Sequence, residues 1–262
     1  MTIVSLTFDD ALDCHLDTAA SLLERHGLPG TFYINLGSDT LARRHRDWQG
    51  VAARGHELGN HTLFHPGVAA KPWVSEGIAL EGYTLDRIAR ELTLANTFLR
   101  ILDGRDERTF AFPCSNPWLG EASWAQRLLV RAGLDRTRLV GWVDRLGLDF
   151  GSSRLDYTPA VAERFFAARC GGIAPEQLPA VPPRRFQIRG VEGDGMDIAG
   201  LLAVVDLAVN RNAWLVLVFH GIGGGHHLSC DREVFAGLLA ALAANPQVEV
   251  LTFLDGAKRI WG

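Results

Sequence analysis

Short runs of consecutive apolar residues alternate along this chain with longer segments in which apolar residues recur every three or four positions. The short runs predict buried strands at 3–8, 30–35, 56–59, 109–112, 139–143, 185–190, 214–219 and 248–253. The periodic segments predict helices at 10–26, 81–103, 120–132, 159–169, 197–211, 231–244 and 255–261. Because strands and helices alternate throughout, we expect one α/β sheet of seven or eight mainly parallel strands closed into a barrel. An open doubly wound sheet is the main alternative.

The alternation predicts a single domain over residues 1–262. Its weakest stretch is 144–184, which contains Gly171-Gly172 and four prolines between positions 175 and 183. We interpret this stretch as an irregular excursion after the helix at 159–169. Because both flanks continue the same alternation, it is expected to be a binding loop rather than a linker between domains.

Composition narrows the choice of partner and compartment. The net charge is only -4 and the basic residues are scattered, which argues against a nucleic-acid partner. The chain contains no run of 18 apolar residues, so no membrane span is predicted. No signal-peptide pattern is found at its beginning, and a cytoplasmic location is therefore expected. Four widely spaced cysteines without a CxxC pair predict reduced thiols.

Acidic and imidazole side chains follow three of the predicted strands. Asp9 and Asp10 follow the first, His61 and His65 follow the third, and His220 follows the run 214–219. Because the carboxyl ends of parallel strands meet on one face of a barrel, these side chains are expected to converge. One Asp and two His form a ligand set for a divalent metal with an open position. The second Asp and the third His are then candidates for general base and general acid.

Each of these residues also has an ordinary structural explanation. Asp9 and Asp10 precede a predicted helix, where a carboxylate commonly caps free backbone N–H groups. The spacing of His61 and His65 matches one helix face, but Pro66 disfavours helical backbone at His65, so a turn or helix end is equally open. His220 alone would usually be a packed histidine.

The glycine-rich run 221–225 lies next to His220. It lacks the spacing of a phosphate-binding loop, so it is interpreted as a flexible loop beside a cleft. His226 and His227 in this loop are expected to be exposed to solvent, and a secondary metal contact is the alternative.

The combination is more specific than its parts. The motifs are Thr7-Phe8-Asp9-Asp10, the run 55–65 ending His61-Thr62-Leu63-Phe64-His65, Phe110-Ala111-Phe112-Pro113, Leu217-Val218-Phe219-His220-Gly221 and Val250-Leu251-Thr252-Phe253. Their order and spacing resemble the polysaccharide deacetylase family, whose catalytic domain is the NodB homology domain. The resemblance spans residues 3 to about 255.

This resemblance implies a distorted (β/α) barrel and a divalent metal, most commonly Zn²⁺. Carried over by position, the metal ligands are Asp10, His61 and His65. The resemblance makes Asp9 the general base and His220 the general acid.

The implied substrate groove includes Pro113 and Cys114, whose backbone N–H would help to hold the oxyanion. The sequence departs from the family pattern where an arginine commonly steadies the base, because Phe110 occupies that position. Arg145, Arg189 or another arginine is left to take its place.

Two further departures concern the groove and a downstream element. Cys114 stands where the family often has an aromatic residue. The family's Asp-x-x-Asp-Trp element has no clear match, although Trp142, Asp144 and Arg145 lie in the corresponding region.

The implied activity is hydrolytic removal of an N-acetyl or other N-acyl group from an amino sugar, such as a chitooligosaccharide or related glycan. Two alternatives stay open. One is an amidohydrolase that opens a small cyclic amide or ureide, and the other is a non-catalytic carbohydrate-binding relative. In each case the expected partner is a small molecule or oligosaccharide, with no nucleic acid and no membrane span.

Overall fold

Eight parallel strands form one sheet in the computed structural model, which describes residues 1–121, 128, 153–182 and 184–262. The strands are β1 (Thr2–Phe8), β2 (Thr31–Ile34), β3 (Glu57–Asn60), β4 (Thr109–Ala111), β5 (Ala167–Gly172), β6 (Ile188–Glu192), β7 (Leu215–Phe219) and β8 (Val248–Val250). The strand β7 pairs with both β6 and β1, so the first seven strands close into a barrel. The strand β8 pairs with the beginning of β1. The predicted barrel is therefore confirmed, and the open sheet is not what forms.

Helices lie between most of these strands. They are α1 (Ala20–Arg25), α2 (Asp39–Ala53), α3 (Leu85–Asp103), α4 (Thr158–Ala162), α5 (Ile198–Arg211), α6 (Arg232–Ala244) and α7 (Phe253–Trp261). Local signals fix their ends: Thr84 caps α3 by accepting a hydrogen bond from the Arg87 N–H, and Gly104 ends it at φ 71°. The predicted helices at 81–103, 197–211, 231–244 and 255–261 are confirmed to within about four residues.

Aromatic packing supports the end of β1, where the candidate chemistry begins. The fully buried ring of Phe8 stacks on Phe32 with centroids 4.8 Å apart and also contacts Phe219 and Phe235 at 5.8 Å. Each large apolar side chain buried in this way contributes about 1.5–3 kcal/mol. The cluster ties three strands to α6 directly beneath Asp9.

The strand β5 overturns the prediction of a helix over 159–169. The helix α4 ends at Ala162, and Ala167 begins a strand between β4 and β6. Ala167 and Ala168 are fully buried and pair with Thr109 and Phe110. A short apolar run buried on both faces carries no helical or strand period of its own, so long-range pairing decides its conformation. The next strand, β6, correspondingly begins at residue 188 rather than 185.

The first connection also differs from prediction. The segment 10–26 becomes helical only at Asp13, and a π-helical turn at His15–Ala19 then leads into α1. Asp10 and Ala11 have φ of 79° and 51°, which no right-handed helix accommodates. The helix α2 was not predicted, because most of its residues are polar and only a few, such as Trp48 and Val51, are buried.

The predicted strand at 139–143 and almost all of the predicted helix at 120–132 lie outside the described residues, as does the beginning of the 144–184 excursion. The described part of that excursion is not one irregular loop, because it contains α4, β5 and a short 3-10 turn at Pro175–Gln177.

Candidate active site

The end of β1 delivers two carboxylates to the rim of the barrel. The Asp9 N–H donates to the Phe219 carbonyl at 3.0 Å, which keeps β1 aligned with β7 as far as this residue. Asp10 then adopts left-handed backbone, a conformation that Asp tolerates better than most residues. The Asp10 Oδ1 atom lies 3.6 Å from His61 Nε2 and 3.3 Å from His65 Nε2. Neither carboxylate caps the following helix, whose first turn has no side-chain cap.

The two histidines approach Asp10 from a loop rather than from a helix. Asn60 Oδ1 accepts a hydrogen bond from the Thr62 N–H at 2.7 Å, and Thr62 Oγ1 accepts one from the His65 N–H at 2.9 Å. Thr62 and His65 both have positive φ, so the chain turns tightly after β3. The imidazole centroids of His61 and His65 are consequently 4.9 Å apart. Of the two backbone conformations that Pro66 allowed at His65, a turn and a helix end, the structure has the turn.

The donor chemistry of this cluster fits a divalent metal. One ligand atom from each of Asp10, His61 and His65 lies within 4.8 Å of the other two. The buried His61 donates from Nδ1 to the Ala111 carbonyl at 2.8 Å, which leaves the Nε2 lone pair facing the cluster. Burial lowers the pKa of His61 to about 4, so this imidazole is neutral at neutral pH and ready to act as a ligand.

Arg169 is the arginine that lies beside Asp9, a position for which the sequence predicted an arginine without identifying it. Its guanidinium donates to both carboxylate oxygens of Asp9, and both side chains are buried. Burial alone would raise the pKa of Asp9, but the positive charges of Arg169 and His220 hold this pKa well below its usual range. Of the arginines proposed from sequence, Arg145 lies outside the described residues and Arg189 is not in contact with Asp9.

Asp194 fixes His220 in an equivalent way. His220 donates from Nδ1 to Asp194 Oδ2 at 2.6 Å and from its backbone N–H to Asp194 Oδ1 at 3.1 Å. His15 Nε2–H holds the His220 carbonyl at 2.7 Å. Burial would lower the pKa of His220, but the hydrogen bond to Asp194 and the charges of Asp9, Asp194 and Asp10 outweigh it and raise the pKa to about 9.

Asp194 was not singled out from sequence, although a signal existed. It follows β6 in the turn Gly193-Asp194-Gly195, just as Asp9 follows β1. The sequence predicted that this strand ends at residue 190, which put Asp194 four positions beyond the strand end rather than directly after it.

The turn after β4 contains the predicted groove residues. Pro113–Ser115 form a 3-10 turn in which Cys114 is exposed and has φ 50°. The Sγ atom of Cys114 would lie 3.9 Å from a Cβ added at Gly67, so the loop after His65 runs close to this turn. Phe110 is fully buried, and its ring stacks on that of Phe165 with centroids 5.0 Å apart. It therefore packs in the apolar core and makes no polar contact with Asp9.

The glycine-rich loop covers His220. The His226 ring stacks on the His220 ring with centroids 5.1 Å apart and an interplanar angle of 16°. His226 Nδ1 accepts from the Leu228 N–H at 3.1 Å, and His227 is exposed. Among the described residues, neither His226 nor His227 joins a group of metal-ligating atoms. The second such group, Glu192, Asp194 and His220, already uses the His220 Nδ1–Asp194 contact as a hydrogen bond.

A closed parallel barrel with these groups at the carboxyl ends of its strands places them on the face where barrel enzymes hold their catalytic residues. Residues 2–128 match the family model described as polysaccharide deacetylase. This match covers just under half of the chain, and the deacetylases of that family are hydrolases.

Solved structures of low identity share the fold. A Mycobacterium smegmatis protein assigned to the polysaccharide deacetylases gives a TM-score of 0.59 at 14% identity, covering 99% of this chain and 90% of that one. A family 4 carbohydrate esterase from Bacillus anthracis gives 0.50 at 12% identity, with coverages of 98% and 83%. A peptidoglycan N-acetylglucosamine deacetylase gives 0.50 at 16% identity, with coverages of 96% and 86%.

One curated relative matches over a shorter stretch. A gellan lyase from Bacillus sp. is 28% identical over 111 residues, which are 42% of this chain but 4% of the lyase. This chain therefore spans only a small part of that relative. Among the described residues, no helix combines the length and apolar character that a membrane crossing requires.

Proposed function

We propose that this protein is a metal-dependent deacetylase that removes an N-acetyl, or another N-acyl, group from an amino-sugar substrate. One observation carries the proposal: a carboxylate kept ionised and an imidazole kept protonated lie beside one cluster of metal-ligating atoms. The carboxylate is Asp9, held by Arg169, and the imidazole is His220, held by Asp194. Two titratable groups whose environments push their pKa values apart are the usual arrangement of a base and an acid.

Asp10, His61 and His65 would hold the metal, and Zn²⁺ suits their combination of imidazole and carboxylate donors. When bound, such an ion supplies Lewis-acid chemistry that polarises a carbonyl and lowers the pKa of water.

The attack on the amide is the task of Asp9. Its carboxylate accepts one proton from the attacking water while the water oxygen bonds to the acyl carbon. Arg169 keeps the acceptor ionised and fixes its orientation through both oxygens. The backbone N–H of Cys114 is assigned to the oxyanion that develops as the carbonyl carbon becomes tetrahedral.

The departure of the amine is the task of His220. The imidazolium donates its Nε2 proton to the amine nitrogen as the C–N bond breaks, since an unprotonated amine leaves poorly. Because Asp194 already accepts from Nδ1, the proton available to the substrate is the one on Nε2. Acetate and a free amino group on the sugar are the products.

Exposed aromatic rings beside the site favour a carbohydrate. Phe64 lies between His61 and His65 in the sequence, and its side chain is 46% exposed. The side chain of Trp73 is 54% exposed. Val74, next to Trp73, packs against Gly67, which also faces the Cys114 thiol. Exposed rings grouped at a cleft offer flat apolar faces for ligand binding.

The decisive experiment combines elemental analysis of the bound metal with acetate release from chitotetraose, N-acetylglucosamine conjugates and cyclic amides. Acetate release that requires about one metal ion per chain is the expected result. Ring opening of a cyclic amide without acetate release would instead identify an amidohydrolase of small molecules. Retention of sugar by the metal-loaded protein without hydrolysis would identify a binding protein.

A further inference from the structure

Glu192 brings to the rim of the barrel a carboxylate that the mechanism above does not use. It is the last residue of β6 and pairs with Val218 of β7, which in turn pairs with Thr7 of β1. Residues paired across neighbouring parallel strands share one face, and the side chains two positions further along return to that face. His220 and Asp9 stand in those positions, so Glu192 lies on the same face as the proposed acid and base.

The Glu192 carboxylate lies among the groups assigned to the chemistry. One of its oxygens is within 4.8 Å of a ring nitrogen of His220 and of a carboxylate oxygen of Asp194. Gly172 leaves room for it, since a Cβ added there would lie 3.2 Å from Glu192 Oε1. Partial burial at the rim raises the pKa of Glu192, and the positive charges of Arg169 and His220 oppose this rise.

Glu192 differs from the other two acids of this face because the protein leaves its carboxylate unused. Asp9 accepts hydrogen bonds from Arg169, and Asp194 accepts them from His220. Within the described ranges of the chain, no hydrogen bond or ion pair engages the carboxylate of Glu192, and the residue is exposed at the rim. An acceptor that is open to the site and unused by the protein is available to the substrate.

We infer that Glu192 accepts a hydrogen bond from the N–H of the substrate amide and thereby selects N-acylated over O-acylated sugars. His220 donates its proton to the leaving nitrogen, so this nitrogen comes within hydrogen-bond distance of His220 and into the neighbourhood of Glu192. An amide nitrogen carries a hydrogen that a carboxylate accepts. The corresponding ester oxygen carries none, and its lone pairs would face the carboxylate.

The same hydrogen bond would orient the leaving nitrogen. With its N–H directed at Glu192, the lone pair that forms in the tetrahedral intermediate is left to accept the proton from His220 Nε2. After the C–N bond breaks, the amine carries its original hydrogen and the donated proton. Protonation from solvent then gives an ammonium group, which is a stronger donor to the same carboxylate. The inference rests on the proposed function and assigns its selectivity to one residue.

The first test compares two substrates that differ at the scissile position, methyl 2-acetamido-2-deoxyglucoside and methyl 2-O-acetylglucoside. Glu192→Ala should lower kcat/KM for the amide by about 10–100-fold, as expected for loss of a charge-assisted hydrogen bond, and leave the ester within about 3-fold. Glu192→Gln keeps a neutral acceptor oxygen and should be intermediate for the amide. The control is Glu176→Gln, which changes an exposed carboxylate in the turn Pro175–Gln177 and should leave both values unchanged.

Calorimetry gives a second readout that does not require turnover. At pH 6, methyl glucosaminide carries an ammonium group where methyl glucoside carries a hydroxyl group. The metal-loaded wild type should bind the ammonium form about 10-fold more tightly, and Glu192→Ala should reduce this preference to less than about 3-fold. Elemental analysis should find the same metal content in the wild type and the variant.

Three results would overturn the inference. Equal losses for amide and ester, or an ammonium preference that survives Glu192→Ala, would leave Glu192 no contact with the nitrogen. Loss of metal from the variant would instead make Glu192 a metal ligand.

The two readouts also separate this inference from the proposed function. A Glu192-dependent ammonium preference without acetate release refutes the deacetylase and upholds the contact with nitrogen. Acetate release with an amide-to-ester ratio that does not depend on Glu192 does the reverse.

Discussion

Arg169 and Asp9, 160 positions apart in the chain, form a buried two-point ion pair between strands that are not neighbours in the barrel. The guanidinium extends from β5 to a carboxylate at the end of β1, while Phe110 occupies the position where the resemblance led us to expect an arginine. The charge is thus supplied from the next strand of the barrel, because β4 and β5 are adjacent.

Removing the charge of Asp9 tests its role as base. Asp9→Asn should retain the metal, because Asp9 is outside the ligand cluster, and should lower kcat by about 10²–10⁴-fold. His61→Ala should instead lose most of the bound metal. Metal content by elemental analysis and single-turnover acetate release distinguish the two variants. Undiminished turnover by Asp9→Asn protein would remove Asp9 from the mechanism.

Replacing Arg169 should damage both stability and the pH profile. Arg169→Met leaves the Asp9 carboxylate buried without its partner, a change that typically costs about 3–5 kcal/mol. Because the arginine lowers the pKa of Asp9 and burial raises it, this pKa should rise in the variant. The acidic limb of the kcat/KM profile should then move to higher pH. Urea unfolding and a pH–rate series measure the two effects, and an unmoved acidic limb would contradict the assigned coupling.

Asp194 should control the basic limb of activity. The pKa of His220 is raised to about 9, so the acid is protonated at neutral pH and activity should fall as pH rises through about 9. In Asp194→Asn the pKa should return towards its ordinary value of about 6.5, and the basic limb should move down with it.

The same pair gives a stability prediction with a definite sign. The pKa of His220 is higher in the folded state than in the unfolded state, so its contribution is complete below about pH 6.5. This contribution should be lost as pH rises through about 9. Urea unfolding of the wild type and Asp194→Asn at pH 6 and pH 10 should show a larger difference at pH 6. A difference that does not change with pH would refute the shift.

Glu57 lies in the same sequence motif as His61 and His65, the proposed metal ligands, but should act on stability rather than chemistry. Its buried carboxylate accepts hydrogen bonds from Thr31 Oγ1 at 2.9 Å, from Thr109 Oγ1, and from the Leu254 N–H at 2.9 Å. Glu57→Ala leaves the Thr31 hydroxyl and the Leu254 N–H without this buried acceptor and should destabilise the fold by several kcal/mol, at about 1–3 kcal/mol for each donor. Glu57→Gln keeps one acceptor oxygen and should cost less. Urea unfolding gives the order, and equal losses would show that packing, not hydrogen bonding, dominates.

Trp73 should contribute to binding of the glycan and not to the chemical step. Trp73→Ala should raise KM for chitotetraose by about 3–10-fold with little change in kcat, as expected for loss of one aromatic contact of about 0.5–1.5 kcal/mol. Ile101→Ala is the control, because Ile101 is 71% exposed on α3 and lies outside the motifs. Steady-state kinetics of acetate release decide the matter, and equal KM values for the two variants would exclude Trp73 from the groove.

The sequence by itself determined the barrel and five of the residues at its rim. Strands buried on both faces leave continuous apolar runs, and polar residues at their carboxyl ends stand out against those runs. This is why Asp9, Asp10, His61, His65 and His220 could be named before their contacts were known.

Only the tertiary structure decided which residues hold Asp9 and His220, the proposed base and acid. Arg169 belongs to a run of alanines, cysteine and glycines that has no period of its own, and its conformation depends on pairing with β4 and β6. Asp194 lies at the end of a strand only because β6 extends to Glu192. The left-handed backbone of Asp10 and His65 likewise cannot be inferred from residue type, because hydrogen bonds and packing from distant strands hold it in place.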